Sequence, residues 1–290
     1  FVQGRILREH PLDLNADDRI AGAHLGGGAG ATSAGAVRSG IDDQVIPGSH
    51  LGQIQDGVEN HPGSDGTRNL VWVGGTDTTG HVIVGTNTAT RFRGGVAVPG
   101  GFSFNRYLVA DDEPLLFHIG LRGMFAATRS AIEHVMPVGR LRYLAFSHFE
   151  ADECGAMNEF LAVAPNAVPV CSIVGAMVSV GDIANRPPKA MADGEELKLG
   201  KRTMRWLDAP HLPHGWDCGY MVETTAKTLF CGDLFTQPGS THPPLTEGDI
   251  LGPSEAMRAG LDYFAHARAS EALFDKLAAT NPLTLACMHG

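Results

Sequence analysis

Ser147-His148-Phe149-Glu150-Ala151-Asp152-Glu153 is the stretch on which the reading of this chain turns. It sets one imidazole and three carboxylates side by side. The apolar run Leu141 to Phe146 before it reads as a buried strand, and Met157, Phe160 and Leu161 after it recur at helical spacing. The motif therefore occupies a strand-to-helix loop, and α/β sheets favour ligand sites at such C-terminal strand ends. An acidic loop is most often simply solvated. Carboxylates this crowded repel one another, however, and need a cation or protons to stay close. His148, Glu150, Asp152 and Glu153 are thus candidate metal ligands.

Outward from the motif the pattern is regular. Phe104 to Val109 and Leu115 to Ile119 flank Asp111-Asp112-Glu113-Pro114 and predict a hairpin. Met124, Thr128, Ile132 and Val135 predict a helix closed by Pro137. Ala167 to Val174 and Thr203 to Leu207 read as strands, and Tyr220 to Glu223 with Thr228 to Cys231 as a second hairpin. Ser254 and Ser270 are candidate N-caps of helices ending near Ala267 and Ala279, before a last strand, Leu283 to Cys287. Strands alternating with helices, with hairpins mixed in, predict an α/β domain with helices on both faces of mixed sheets.

Three more of these strand ends carry metal-ligand residue types: His211, Asp233 and His289. A lone His after a strand is usually a surface residue, and an Asp after Gly232 is usually a turn residue. Their recurrence at four strand ends, which tertiary structure can bring together, is what predicts a site. His214 lies close enough to His211 to compete with it. His118, His134 and His266 read as packing or surface residues, and His242 as a residue at a pocket mouth. Cys154 and Cys287 read as small packing residues near the site.

Composition sets the outer limits. The chain has 290 residues, 43% of them hydrophobic, and a net charge of −10. That charge argues against a nucleic-acid or anionic-membrane surface, so we expect no nucleic-acid partner. No apolar run reaches the roughly 20 residues of a membrane helix, so no membrane partner is expected either. Five cysteines without a C-x-x-C pair fit a reducing compartment, which predicts a cytoplasmic location. Residues 1–90 are Gly-rich and poorly patterned, with Val71-Trp72-Val73 and His81-Val82-Ile83-Val84 as their convincing strands. They read as an extension too weak in apolar pattern to order itself, ahead of a domain at 91–290.

The ordered motifs resemble those of the metallo-β-lactamase superfamily, most closely the diiron domain of flavodiiron proteins and stand-alone oxygen-binding diiron proteins. The resemblance covers roughly residues 95–290. His148-Phe149-Glu150-Ala151-Asp152-Glu153 is similar to an H-x-E-x-D-H motif, with Glu153 in place of the final His. His211-Leu212-Pro213 resembles H-W-P, Asp233-Leu234-Phe235-Thr236-Gln237 resembles D-x-F-x-Q, and Met288-His289-Gly290 resembles S-H-G. The hydrolase branch has His where Glu150 stands, which makes Glu150 the most diagnostic residue.

The resemblance implies an αββα sandwich of two mixed sheets flanked by helices. It implies two iron ions, with zinc or manganese as other occupants. One would be held by His148, Glu150 and His211, the second by Asp152 and His289 with Glu153, and Asp233 would bridge them. The implied activity is binding or reduction of O2 or NO. We expect no flavin domain in this chain, so the implied electron donor is an external flavoprotein or rubredoxin-like partner. A dinuclear zinc hydrolase and a non-enzymatic oxygen sensor are the alternatives. Phe149, Phe235 and Trp216 would wall the pocket. The chain stops directly after the last implied ligand, which leads us to expect a domain cut short at its C-terminus.

Overall fold

The computed structural model describes residues 82–91, 97–240, 242 and 246–290. Most of the Gly-rich extension, including Val71-Trp72-Val73, lies outside the described residues.

Two mixed sheets form the centre. The first joins β1 (Val82–Arg91), β2 (Ala97–Val109), β3 (Leu115–Phe117), β4 (Tyr143–Ala145), β5 (Val168–Ser172) and β6 (Lys189–Met191) in sequence order. Its first three strands are antiparallel and its later pairings parallel. Among the described residues the sheet includes β1, from Val82, paired along β2. The second sheet runs β11 (Thr284–Ala286), β10 (Thr228–Phe230), β9 (Gly219–Glu223), β8 (Thr203–Asp208), β7 (Glu196–Lys198). Only β10 and β11 pair in parallel there.

Period-two alternation decides which side chains meet which layer. Val109, Leu115, Phe117 and Tyr143 from the first sheet meet Met204, Trp206, Met221 and Phe230 from the second in a buried inter-sheet core. The intervening residues Leu108, Leu116 and Leu144 face outward onto helices instead. They pack with Ile132 of α1 (Phe125–Val135) and with Met157 and Phe160 of α3 (Met157–Val163). On the far side, Leu207, Tyr220, Val222 and Leu229 pack against Leu277 of α7 (Ser270–Ala279). The layers are therefore helix, sheet, sheet, helix, as the resemblance implies.

Other elements differ from the sequence pattern for local reasons. The helix expected from Ser254 to Ala267 is α6 (Leu251–Leu261). Asp249 Oδ1 accepts the backbone N–H groups of Leu251 and Gly252, so the start lies earlier and Ser254 is buried inside the helix. Asp262, at φ 49, takes a left-handed conformation that ends it. After β5 the chain coils through α4 (Ile173–Gly175), a wider turn at Ala176–Val180 and α5 (Gly181–Ile183), started by Ser172 Oγ accepting from Gly175 N–H. That stretch read as strand through Val174.

Trp206 fills the inter-sheet core against Gly219. A Cβ there would lie 2.3 Å from the indole ring. Gly219→Ala should cost about 1–3 kcal/mol through overpacking, measured as a lower denaturant midpoint with an unchanged slope. A neutral result would mean that Trp206 can shift without strain.

Candidate metal centre

Four strand ends converge, as the positions of the ligand-type residues require. β4 runs into the loop carrying His148 and Glu150 and then into α2 (Ala151–Cys154), which carries Asp152. β8 precedes His214, β10 precedes Asp233 and β11 precedes His289. His148, Glu150, His214 and Asp233 bring one potential ligand atom each to within 4.8 Å of one another. A second group adjoins it, because His289 Nε2 lies 3.5 Å from Asp152 Oδ2 and 3.3 Å from Asp233 Oδ1. Asp233 is 7% exposed and faces both groups. Its other oxygen, Oδ2, lies 3.6 Å from His148 Nε2 and 3.2 Å from His214 Nε2.

These gaps carry information. Charge-assisted hydrogen bonds run near 2.7–2.9 Å, and the gaps are longer. Donor atoms at about 2.1 Å from one tetrahedral cation stand roughly 3.4 Å apart, which is the range observed here. His148 Nε2 and Asp233 Oδ1 are buried without a hydrogen-bond partner among the described residues. Such atoms are costly unless something binds them. The mixture of imidazole and carboxylate donors suits iron, manganese or zinc. The residues therefore fit a pair of cations.

Each of the three histidines is oriented from behind. His148 Nδ1 pairs with Ser147 Oγ at 2.8 Å, His214 Nδ1 with the Tyr263 carbonyl at 3.0 Å, and His289 Nδ1 with the Ser103 carbonyl at 2.7 Å. A carbonyl can only accept, so it fixes the proton of His214 and His289 on Nδ1 and leaves Nε2 free. This is the outer support expected of metal-ligating histidines. Asn105, on β2, donates to the carbonyls of Cys287 and Gly290 and so clamps the segment that carries His289. None of these acceptors has a sequence signature.

After β8 the structure places His214, and not the expected His211, in this group. His211 is exposed, with φ 65, and stands outside the group that His214 joins. Leu212 is fully buried in the core beneath α7, and its carbonyl accepts from the Tyr220 hydroxyl and the Cys218 thiol. With Leu212 anchored there, His211 stays outside and His214 turns inward.

Glu153 also departs from expectation. It is completely buried, yet its carboxylate accepts from Ser147 N–H and faces His118, with Oε2 3.4 Å from His118 Nε2. His118 itself lies buried beneath the centre at φ 62, close enough that the charges of Asp233 and His289 act on it. Left-handed backbone at a non-glycine residue was the signal that only coordinates could supply. Trp216 is 58% exposed and does not serve as a dry wall. Phe102 and Phe104 do, with ring centroids 4.4 and 5.2 Å from His289. His242 is exposed and bonds the Pro238 carbonyl. Cys154 is a buried free thiol, pushed up by burial, and Cys287 is a half-buried free thiol.

In the metal-free state protons take the place of the missing positive charge. Burial works against charged histidines, but the carboxylates outweigh it and raise His214 to about 9 and His289 to about 10. The neighbouring His148 and His214 imidazoles, 3.5 and 3.3 Å away, hold Glu150 down to about 2. Burial, helped by the nearby charges of Asp233 and Asp152, pushes Glu153 up to about 8. A histidine raised in the folded state contributes stability that is complete below its ordinary value of 6.5 and is lost as pH rises through 9 to 10. Metal-free protein should therefore melt at progressively lower temperature from pH 6.5 to 10. Cation-loaded protein, whose imidazoles carry no such proton, should keep its melting temperature over that range. Parallel pH profiles for the two forms would contradict this charge balance.

Relatives of this chain share the arrangement of its fold. It is 28% identical over 148 residues to rubredoxin-oxygen oxidoreductase of Megalodesulfovibrio gigas, covering 50% of this chain and 37% of that protein. It is 27% identical over 177 residues to the anaerobic nitric oxide reductase flavorubredoxin of Salmonella arizonae, covering 58% and 34%. The chain thus spans about a third of the length of these curated relatives. Among solved structures, rubredoxin oxygen:oxidoreductase from Desulfovibrio gigas superposes with a TM-score of 0.63 at 24% identity, covering 73% of this chain and 55% of that one. A flavoprotein from Thermotoga maritima gives 0.65 at 18% identity, covering 76% and 56%. Both show the fold. Residues 102–290, a span that contains every donor of the centre, match the family described as ODP family beta lactamase, and the chain belongs to that family.

Proposed function

We propose that the centre holds two iron ions and that the protein binds or reduces a small diatomic molecule, O2 or NO, with electrons from a separate partner protein. His148, Glu150, His214 and Asp233 would hold one ion, and Asp152, Asp233 and His289 the other. The observation that carries this reading is Glu150. Its carboxylate stands 3.5 Å from His148 Nε2 and 3.3 Å from His214 Nε2, inside the group rather than in solvent beside it. Anionic donors stabilise the higher oxidation states of iron better than neutral imidazoles do. With Glu150, Asp152 and Asp233, the centre balances three carboxylates against three histidines. Bound there, redox-active ions would supply electrons to a diatomic ligand.

The remaining residues shape the site for that task. Asp233 presents one oxygen to each group and would be a donor to both cations. Carbonyls of Ser103 and Tyr263 keep two imidazoles from turning. Phe102 and Phe104 cover the His289 side and keep water from it. The names of the relatives, an oxygen oxidoreductase and a nitric oxide reductase, support the choice of ligands, and the first is in keeping with a rubredoxin-like donor.

The test is anaerobic reconstitution with ferrous iron, followed by O2 or NO. About two irons per chain and an optical change on adding either gas are expected. A Glu150→His variant should shift metal content from iron toward zinc. Iron-loaded protein that shows no optical response to either gas would overturn the proposal.

A further inference from the structure

The two halves of the centre are not equally furnished, and the residue responsible is Glu153. Resting on the dinuclear reading above, we infer that Glu153 positions His148 from behind and is not a ligand. This leaves the His289 half with three protein donors and the weaker hold on its cation.

The geometry begins in α2. Asp152 and Glu153 are neighbours on one helical turn, so their side chains point about 100° apart. Asp152 points to His289 Nε2. Glu153 points into the protein, where its side chain has no solvent exposure. Its Oε2 accepts from Ser147 N–H at 3.2 Å, and its Oε1 lies 4.0 Å from His148 Nδ1. The cation-facing nitrogen of His148 is the other one, Nε2, which looks at Glu150 and Asp233. Glu153 therefore lies across the imidazole ring from the place a cation would take.

Ser147 connects the two residues. Its N–H is held by Glu153, and its hydroxyl pairs with His148 Nδ1 at 2.8 Å. Ser147 Oγ, held in place by Glu153, is the outer partner that fixes the ring of a ligating histidine. His214 and His289 receive the same support from backbone carbonyls, which no substitution removes. His148 alone depends on side chains for it.

The count of donors follows from this. The His148 half has His148, Glu150, His214 and Asp233. The His289 half has His289, Asp152 and a share of Asp233. A first cation would be held by four donors in the His148 half, and a second by three in the His289 half.

The experiment titrates the metal-free 290-residue chain with Co2+ under anaerobic conditions. Calorimetry reads the affinities, and visible absorption distinguishes the two-imidazole half from the one-imidazole half. Thermal unfolding of each metal-free variant is measured alongside. The wild type should bind in two steps that differ at least tenfold. Glu153→Gln and Ser147→Ala should weaken the tight step by about 10–100-fold and leave the weak step unchanged. Asp152→Asn should remove only the weak step. If Glu153→Gln instead weakens the weak step alone, Glu153 is a ligand and the inference fails. If it lowers only the melting temperature, Glu153 serves as a packing partner of His118, and the inference again fails. Should Glu153→Gln not fold, an unchanged tight step in Ser147→Ala refutes the positioning role. Two equal steps in the wild type refute the unequal hold. No Co2+ binding by the wild type would overturn the dinuclear reading itself, an outcome distinct from these.

Discussion

Asp233→Ala is expected to abolish paired metal binding, leaving less than one cation per chain by elemental analysis. Each of its oxygens faces a different half of the centre, Oδ2 toward His148 and His214 and Oδ1 toward His289. Losing an outer support of a metal ligand typically costs 10–100-fold in affinity, and losing a donor common to both halves should exceed that. The metal-free variant should also be less stable at neutral pH. His214 and His289 hold Asp233 well below the ordinary carboxylate range against the effect of burial, so its removal leaves buried positive charge uncompensated. Breaking such a pair costs about 3–5 kcal/mol. Denaturant unfolding of metal-free protein at pH 7 measures it. Retention of two tightly bound cations by Asp233→Ala would contradict the shared-donor geometry.

His214→Ala and His211→Ala should behave oppositely. His214 Nε2 lies 3.2 Å from Asp233 and 3.3 Å from Glu150, and its Nδ1 is tied to the Tyr263 carbonyl. Removing it should release the cation of the four-donor half, lowering metal content by about one ion per chain in a two-metal site. His211 is exposed and outside the group, so His211→Ala should leave metal content and optical spectra unchanged. Loss of metal in the His211 variant with retention in the His214 variant would reverse the assignment. The pair is informative because the residues are three apart in one loop, and sequence alone favours His211.

Much of the fold is legible before any coordinates are known. Leu115, Phe117, Met204 and Trp206 meet between the sheets because alternate residues of a strand share a face, and that period is written in the sequence. The short strands Lys189–Met191 and Glu196–Lys198 escape notice because three residues carry too little period to recognise. The turns from Ile173 to Ile183 escape because Ser172 starts them through a hydroxyl contact inside an apolar run.

By itself the sequence determines that metal-ligand residue types end four strands, that carboxylates crowd one of those loops, and that Glu150 stands among them. Those are local properties, set by residue type and by periods of a few residues. The tertiary structure decides which side chains in each loop face the centre. Leu212 sinks into the core under α7 and is held there by Tyr220 and Cys218, so His214 turns inward and His211 does not. Glu153 follows the helical turn into the interior while Asp152 reaches His289. A loop residue's direction is fixed by where its neighbours are anchored, and those anchors lie on other strands and helices, far away in the chain.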